Sequence, residues 1–373
     1  MNESANATIR FLGTGVPSHR ISQDLHHSIL ESANGLNRAE RLMLKSVYHN
    51  SGVRYRHSVL AEFGEEDQAT NEIFNPAGSN ESVSIARRME IFDRFAAPLC
   101  CKAIDNALRD NPDVLRQVTH LITFSCTGMS APGVDIQIVE HFGLDRSIER
   151  TCINFMGCYA GINALKTASY ISKADANAVV LVAGVEICTI HYQKSVSKDQ
   201  LIANALFSDG AAAAIVTQQS SGSFNKPGFR LSEFYSEFNP AGRNEMAWSI
   251  GDRAFDIKLS TYVPHLVKEN IGLMMEKLFK RSGINQGEID WYALHPGGVK
   301  ILEACEQALG LSKDQNRFSY EVLEHYGNMS SVTVLFVLNK YFESLNTSDA
   351  GKKTLSCAFG PGLTMETMIL HVV

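Results

Sequence analysis

Cys158 lies in Asn154-Phe155-Met156-Gly157-Cys158-Tyr159-Ala160-Gly161, directly before an apolar run, 162–171, that reads as a helix. A thiol at the first turn of a buried helix meets unpaired backbone N–H groups and the positive end of the helix dipole. Both favour the thiolate. Two distant segments, Leu294-His295-Pro296-Gly297-Gly298 and Tyr326-Gly327-Asn328-Met329-Ser330, supply an imidazole and an amide at Gly-rich turns. A thiol nucleophile, a proton carrier and a neutral hydrogen-bond donor suit acyl transfer.

The elements that must position these groups recur in two halves. In the first, an apolar strand at 121–124 ends at Ser125-Cys126, the Cys158 turn and its helix follow, and strands at 179–182 and 212–217 close the set. In the second, a strand at 291–294 ends at His295. The Asn328 turn and a helix at 332–342 follow, then strands at 355–357 and 367–372. Cys126 to Cys158 spans 32 residues and His295 to Asn328 spans 33; Cys158 to Glu186 spans 28 and Asn328 to Phe359 spans 31. Matching order and spacing suggest an internal duplication, with halves 1–222 and 223–373. The seam falls in the Ser/Gly/Pro-rich stretch 220–228, and 63–82 reads as a surface loop. Near-continuous apolar strands alternating with helices predict an α/β fold with buried, largely parallel sheet. In such sheets ligands gather at the carboxyl ends of strands, and Cys158, His295, Asn328 and the Phe359 loop all fall at strand ends or strand-to-helix turns.

A net charge of −6 argues against nucleic acid as the main partner. The apolar stretches 178–183 and 211–216 are too short to span a bilayer. The polar start, Met1-Asn2-Glu3-Ser4-Ala5-Asn6, lacks the pattern of a signal peptide, and a cytoplasmic location is expected. The eight cysteines have no zinc-site spacing, no metal is expected, and most should be reduced, buried thiols.

Five collinear motifs extend this reading. Gly157-Cys158-Tyr159-Ala160-Gly161, Asn204-Ala205-Leu206-Phe207-Ser208-Asp209-Gly210, His295-Pro296-Gly297-Gly298, Gly327-Asn328-Met329-Ser330-Ser331 and Phe359-Gly360-Pro361-Gly362 resemble the type III polyketide synthases, the chalcone-synthase-like enzymes of the thiolase fold. The resemblance covers nearly the whole chain. Ketoacyl-carrier-protein synthases III share the Cys–His–Asn set, but Gly-Asn-Met-Ser-Ser and Phe-Gly-Pro-Gly favour the polyketide synthases. A non-catalytic thiolase-fold subunit of a larger complex is disfavoured by the intact Cys–His–Asn set.

The resemblance implies a duplicated five-layer αβαβα architecture and a homodimer. It also implies an iterative enzyme that loads an acyl-CoA starter on Cys158 and extends it with malonyl-CoA, without a cofactor. His295 would form an imidazolium–thiolate pair with Cys158, and Asn328 with His295 would hold the malonyl-derived enolate. Phe207, beside Leu206, corresponds to a gatekeeper; a second aromatic gatekeeper is replaced by Ile257. Cys126, Cys188 and His191 occupy cavity positions that are threonine in the plant enzymes. Ala131 matches a position that reaches into the partner subunit's cavity, and Ser330, Phe359, Gly360 and Pro361 belong to the same walls. For the CoA phosphates, Arg38, Arg41 and Lys45 share one helical face, and Lys300 follows Gly297 and Gly298.

Overall fold

Alternate residues of each buried strand face two different sets of helices, and this period of two organises the fold. The computed structural model describes residues 7–64 except 34, 71–74, 83–218 except 196, and 226–373. The elements are β1 (Thr8–Gly15), β2 (His19–Ser22), α1 (Gln23–Ala33), α2 (Arg38–His49), β3 (Tyr55–Ser58), α3 (Ile85–Leu108), β4 (His120–Ser125), α4 (Val134–Phe142), β5 (Glu149–Asn154), α5 (Ala160–Ala174), β6 (Val179–Ile187) and α6 (Lys198–Leu206). Then come β7 (Asp209–Thr217), β8 (Phe229–Phe238), β9 (Met246–Ile250), β10 (Phe255–Leu259), α7 (Val263–Ser282), β11 (Trp291–Leu294), α8 (Val299–Leu309), α9 (Arg317–Tyr326), α10 (Thr333–Ser344), β12 (Lys353–Gly360) and β13 (Thr364–Val372).

In β6, Val179, Leu181, Ala183 and Val185 join α3 in one core, while Val180 and Val182 join α5 and α10 in another. In β12, Leu355, Cys357 and Phe359 face α7 and α8, while Ala358 faces α5 and α10. The layers are therefore α3, one half of the sheet, α5 with α10, the other half, and α7 with α8. This is the expected five-layer thiolase-like arrangement.

One nine-stranded sheet runs β11-β12-β13-β8-β1-β7-β6-β4-β5. It is mixed, not largely parallel. Only β4–β5, β4–β6 and β11–β12 are parallel; the other five pairings are antiparallel. The reason is the connections: β7 follows β6, and β13 follows β12, through links that reverse the chain beside the strand just left. Apolar runs look the same in either direction when both faces are buried. The pairing repeats between halves, since β4–β6 and β11–β12 are parallel while β6–β7 and β12–β13 are antiparallel.

Residues 65–70 and 75–82 of the expected surface loop lie outside the described residues. So do residues 1–6 and 219–225, which include the expected boundary between 222 and 223. Among the described residues, no helix is long and apolar enough to cross a membrane. All eight cysteines are free; six are buried, Cys152 is exposed and Cys158 is half-buried.

Candidate active site

The chain bends sharply between β5 and α5, with Phe155 at φ 63° and Gly157 at φ 92°. A Cβ on Gly157 would lie 2.1 Å from Pro361 Cδ, and one on Gly360 would lie 2.6 Å from the Tyr159 ring. Only glycine lets the 359–361 loop press this closely against the Cys158 turn. Because α5 starts at Ala160, Cys158 precedes the helix instead of occupying its first turn. Its Sγ lies 3.5 Å from Ser330 Oγ. Behind it, Gly157 N donates to Cys126 Sγ at 2.9 Å.

Glu186, wholly buried at the end of β6, ties the two halves together. Its carboxylate accepts from Cys126 N at 3.0 Å, Thr127 Oγ1 at 2.7 Å and Ser331 Oγ. The turns that carry Cys126 and Ser330 are thus set by one side chain. The sequence reading took Glu186 only as a strand-end marker, although a lone acid inside the apolar run Val179–Ile187 is a usable signal.

His295 follows β11, its N–H donating to Cys357 O at 2.8 Å. Its Nδ1 is buried without a hydrogen-bond partner, which leaves Nε2 as the nitrogen available to the cavity. Burial pushes this imidazole down to about 3. Burial likewise pushes the Cys158 thiol up to about 12, with Ser330 opposing and the Glu186 charge reinforcing the rise. No hydrogen bond joins Cys158 to His295. Burial of both groups therefore works against the expected imidazolium–thiolate pair, since it disfavours each charged form.

Asn328 Oδ1 accepts from Ser330 N at 2.9 Å and Thr333 Oγ1 at 3.3 Å. The backbone of Asn328 is paired with the Phe207 turn: its N–H donates to Leu206 O at 2.8 Å and its carbonyl accepts from Ser208 N at 3.0 Å. Arg56, 1% exposed, grips the same turn. Its guanidinium donates to Asn204 O at 2.6 Å, Phe207 O at 2.9 Å, Ala205 O at 2.6 Å and Gln23 Oε1. A cation at the end of α6 satisfies carbonyls that the helix leaves unpaired. Nothing in the local sequence marked Arg56 for this place.

Cys158, His295 and Asn328 share the wall of one cavity of about 680 Å³ with Phe207, Leu206, Ile257, Cys126, Cys188, His191, Ser330, Phe359 and Pro361. Gly360 backs Cys158 without lining the space. Ala131 is exposed at a cis Ala131–Pro132 bond, away from it. His191 is not free to titrate into the cavity. Its Nε2 meets Thr127 O at 2.6 Å, its Nδ1 accepts from Phe255 N at 3.2 Å, and burial lowers it to about 3. The space vacated by an aliphatic Ile257 is bordered by Trp248, its partner across the β9–β10 pair, whose indole N–H donates to Cys126 O at 2.8 Å. The sequence reading missed this tryptophan.

At the mouth, Lys300 lines the cavity with Gly297 and Gly298, and Lys198 joins them. Arg38, Arg41 and Lys45 do not. They lie on the exposed side of α2, with Arg41 Nε bonded to Leu36 O at 3.0 Å, while Ser46, Val47 and Asn50 of the same region reach the cavity. Leu44 and Tyr48 bury the opposite face of the helix, so the shared basic face points outward.

Comparison with known proteins decides the family. Residues 1–220 match the N-terminal domain, and residues 231–373 the C-terminal domain, of chalcone and stilbene synthases. The chain belongs to the chalcone and stilbene synthase family. It is 28% identical to the "Alpha-pyrone synthesis polyketide synthase-like Pks18" of Mycobacterium tuberculosis, over 98% of this chain and 91% of that protein. Its structure is similar to PKS-I of the brown alga Ectocarpus siliculosus, with a TM-score of 0.92, 26% identity and complete coverage of both chains. It is also similar to the C-terminal type III polyketide synthase domain of Steely1, a type I/III hybrid from Dictyostelium. The TM-score is 0.87 at 26% identity, over 98% of this chain and 99% of that one. As a type III polyketide synthase the protein is a condensing acyltransferase that works iteratively, and the family uses malonyl-CoA with acyl-CoA starters.

Proposed function

We propose that Cys158, His295 and Asn328 perform the condensation, and that the product is a pyrone, resorcinol or phloroglucinol-type ring. The observation that carries this is the meeting of all three groups on one cavity wall, with the Asn328 amide oxygen already occupied.

Cys158 Sγ attacks the starter thioester carbonyl, and its proton passes to His295 Nε2. The C–S bond to CoA breaks and CoA leaves as the thiol, taking that proton. Malonyl-CoA then loses carbon dioxide, and the released electron pair forms an enolate. Asn328 Nδ2 donates to its oxygen, joined by His295 once the neutral ring carries its one proton on Nε2 instead of Nδ1, and the enolate carbon attacks the acyl group on Cys158. A C–C bond forms, the C–S bond to Cys158 breaks, and the lengthened β-ketoacyl-CoA can reload the thiol. Neutral donors suit this step because they hold charge without protonating the carbanion. Phe207, held through its carbonyl by Arg56, excludes water from the enolate.

Lys198 and Lys300 at the mouth would meet the CoA phosphates. A homodimer is supported by β5, an edge strand whose residues are almost all exposed, flanked by exposed Met129 and Met156.

The deciding experiment incubates the protein with malonyl-CoA and a panel of acyl-CoA starters and identifies products by mass spectrometry. Ring products without carrier protein support the proposal. Cys158→Ala must abolish them, whereas Cys158→Gln can retain decarboxylation. Full product formation by Cys158→Ala would overturn it.

A further inference from the structure

The β9–β10 hairpin belongs to neither half of the main sheet. It forms a separate two-stranded unit, yet it contributes Met246, Trp248, Phe255, Ile257 and Leu259 to the cavity wall. A wall outside the sheet needs its own attachments. Trp248 Nε1 holds its first strand to Cys126 O, and Phe255 N holds its second to His191 Nδ1. At the tip, Gly251 N donates to Ala254 O at 3.0 Å, and the preceding residue, Arg253, offers its carbonyl to α3.

That carbonyl accepts from Arg88 Nε at 2.8 Å. Nη1 of the same guanidinium donates to Ile190 O, in the short turn Cys188–His191. Arg88 therefore joins two segments that both line the cavity, reaching them from α3 on the far side. It is 2% exposed, and among the described residues no carboxylate pairs with it. It sits in the first turn of α3, where the helix dipole is also positive. A buried cation in such a place is costly. What it supplies is a rigid fork that spans two carbonyls from different loops, which a neutral side chain of this reach cannot do.

Resting on the polyketide reading above, we propose that Arg88 is a specificity-determining positioning residue. It pins the hairpin tip to the Cys188–His191 turn and so fixes how far the cavity wall stands from the growing chain. The reaction requires no contact between Arg88 and substrate.

The test compares wild type with Arg88→Met and Arg88→Lys in three measurements: product distribution from a starter panel, rates of Cys158 acylation and malonyl-CoA decarboxylation, and hydrogen–deuterium exchange. In Arg88→Met, exchange across 246–259 should rise while acylation and decarboxylation hold. The ratio of longer to shorter products should change by about tenfold or more, the factor one hydrogen bond to a charged group implies. Arg88→Lys should recover part of the wild-type ratio. A folded Arg88→Met with wild-type products and unchanged exchange overturns the proposal. If Arg88→Met does not fold, Arg88→Lys decides: its ammonium lacks the fork, so unchanged exchange and products in that variant overturn it equally. Failure of wild type to make any polyketide would sink the functional reading instead, and the exchange measurement would still test the pin.

Discussion

Asn328 turns its amide oxygen onto the backbone N–H of Ser330, 2.9 Å away, and so leaves its Nδ2 hydrogens for the cavity. Thr333 Oγ1 reinforces the orientation from the next helix. In the proposed mechanism the donor is thus aimed before substrate arrives, and no reorganisation would be needed as the enolate forms.

Asn328→Asp should keep both contacts to the oxygen and replace the donor with a second acceptor. Malonyl-CoA decarboxylation should fall by about 10²- to 10³-fold, the usual loss for one oxyanion donor. Thr333→Val should cost far less. Carbon dioxide release measures both, and a fully active Asn328→Asp would remove Asn328 from the oxyanion site.

Proton transfer to His295 should dominate the reactivity of Cys158. Burial raises the thiol to about 12, so little thiolate exists at neutral pH unless the imidazole accepts its proton. The sign follows: with the base removed, alkylation should rise by about tenfold per pH unit below the thiol pKa. In His295→Ala, iodoacetamide labelling near pH 7 should be much slower than in wild type and climb without a plateau to pH 9. Equal labelling rates in the two proteins would show that His295 does not activate the thiol.

Trp248, more than Ile257, should limit cavity size. Its indole is fixed to Cys126 O and stands opposite Ile257 on the hairpin. Trp248→Ala should shift products towards longer chains and accept longer starters, at a stability cost of roughly 1–3 kcal/mol for a half-buried aromatic. Ile257→Phe should shift them the other way. Unchanged products in Trp248→Ala would place the limiting wall elsewhere.

Arg56 should matter to stability and to coupling together. Arg56→Met leaves Phe207 O without its donor, takes one of two donors from each of Asn204 O and Ala205 O, and should lower unfolding free energy by about 3 kcal/mol. In the folded fraction, decarboxylation should run ahead of condensation, because the Phe207 turn and the Asn328 backbone share two hydrogen bonds. A denaturant titration and the ratio of carbon dioxide to product check the two effects.

By itself, the sequence pointed to the candidate reacting groups and determined the α/β class and the family. A thiol before an apolar helix, and a His and an Asn at Gly-rich turns, are local patterns, and their order along the chain is specific. Strand direction was not among them, because a strand buried on both faces carries no mark of its neighbour's polarity, and the sheet proved mixed. Nor could local pattern show that α2 turns Arg38, Arg41 and Lys45 outward, since Leu44 and Tyr48 settle that only by packing. Tertiary structure alone decided the rest. Arg56 reaches Phe207 across 151 residues and Arg88 reaches Arg253 across 165. Glu186 reaches Ser331 across 145. The shifts of Cys158 and His295 towards their neutral forms share one cause, for desolvation is a property of everything packed around a group, not of the residues beside it in the chain.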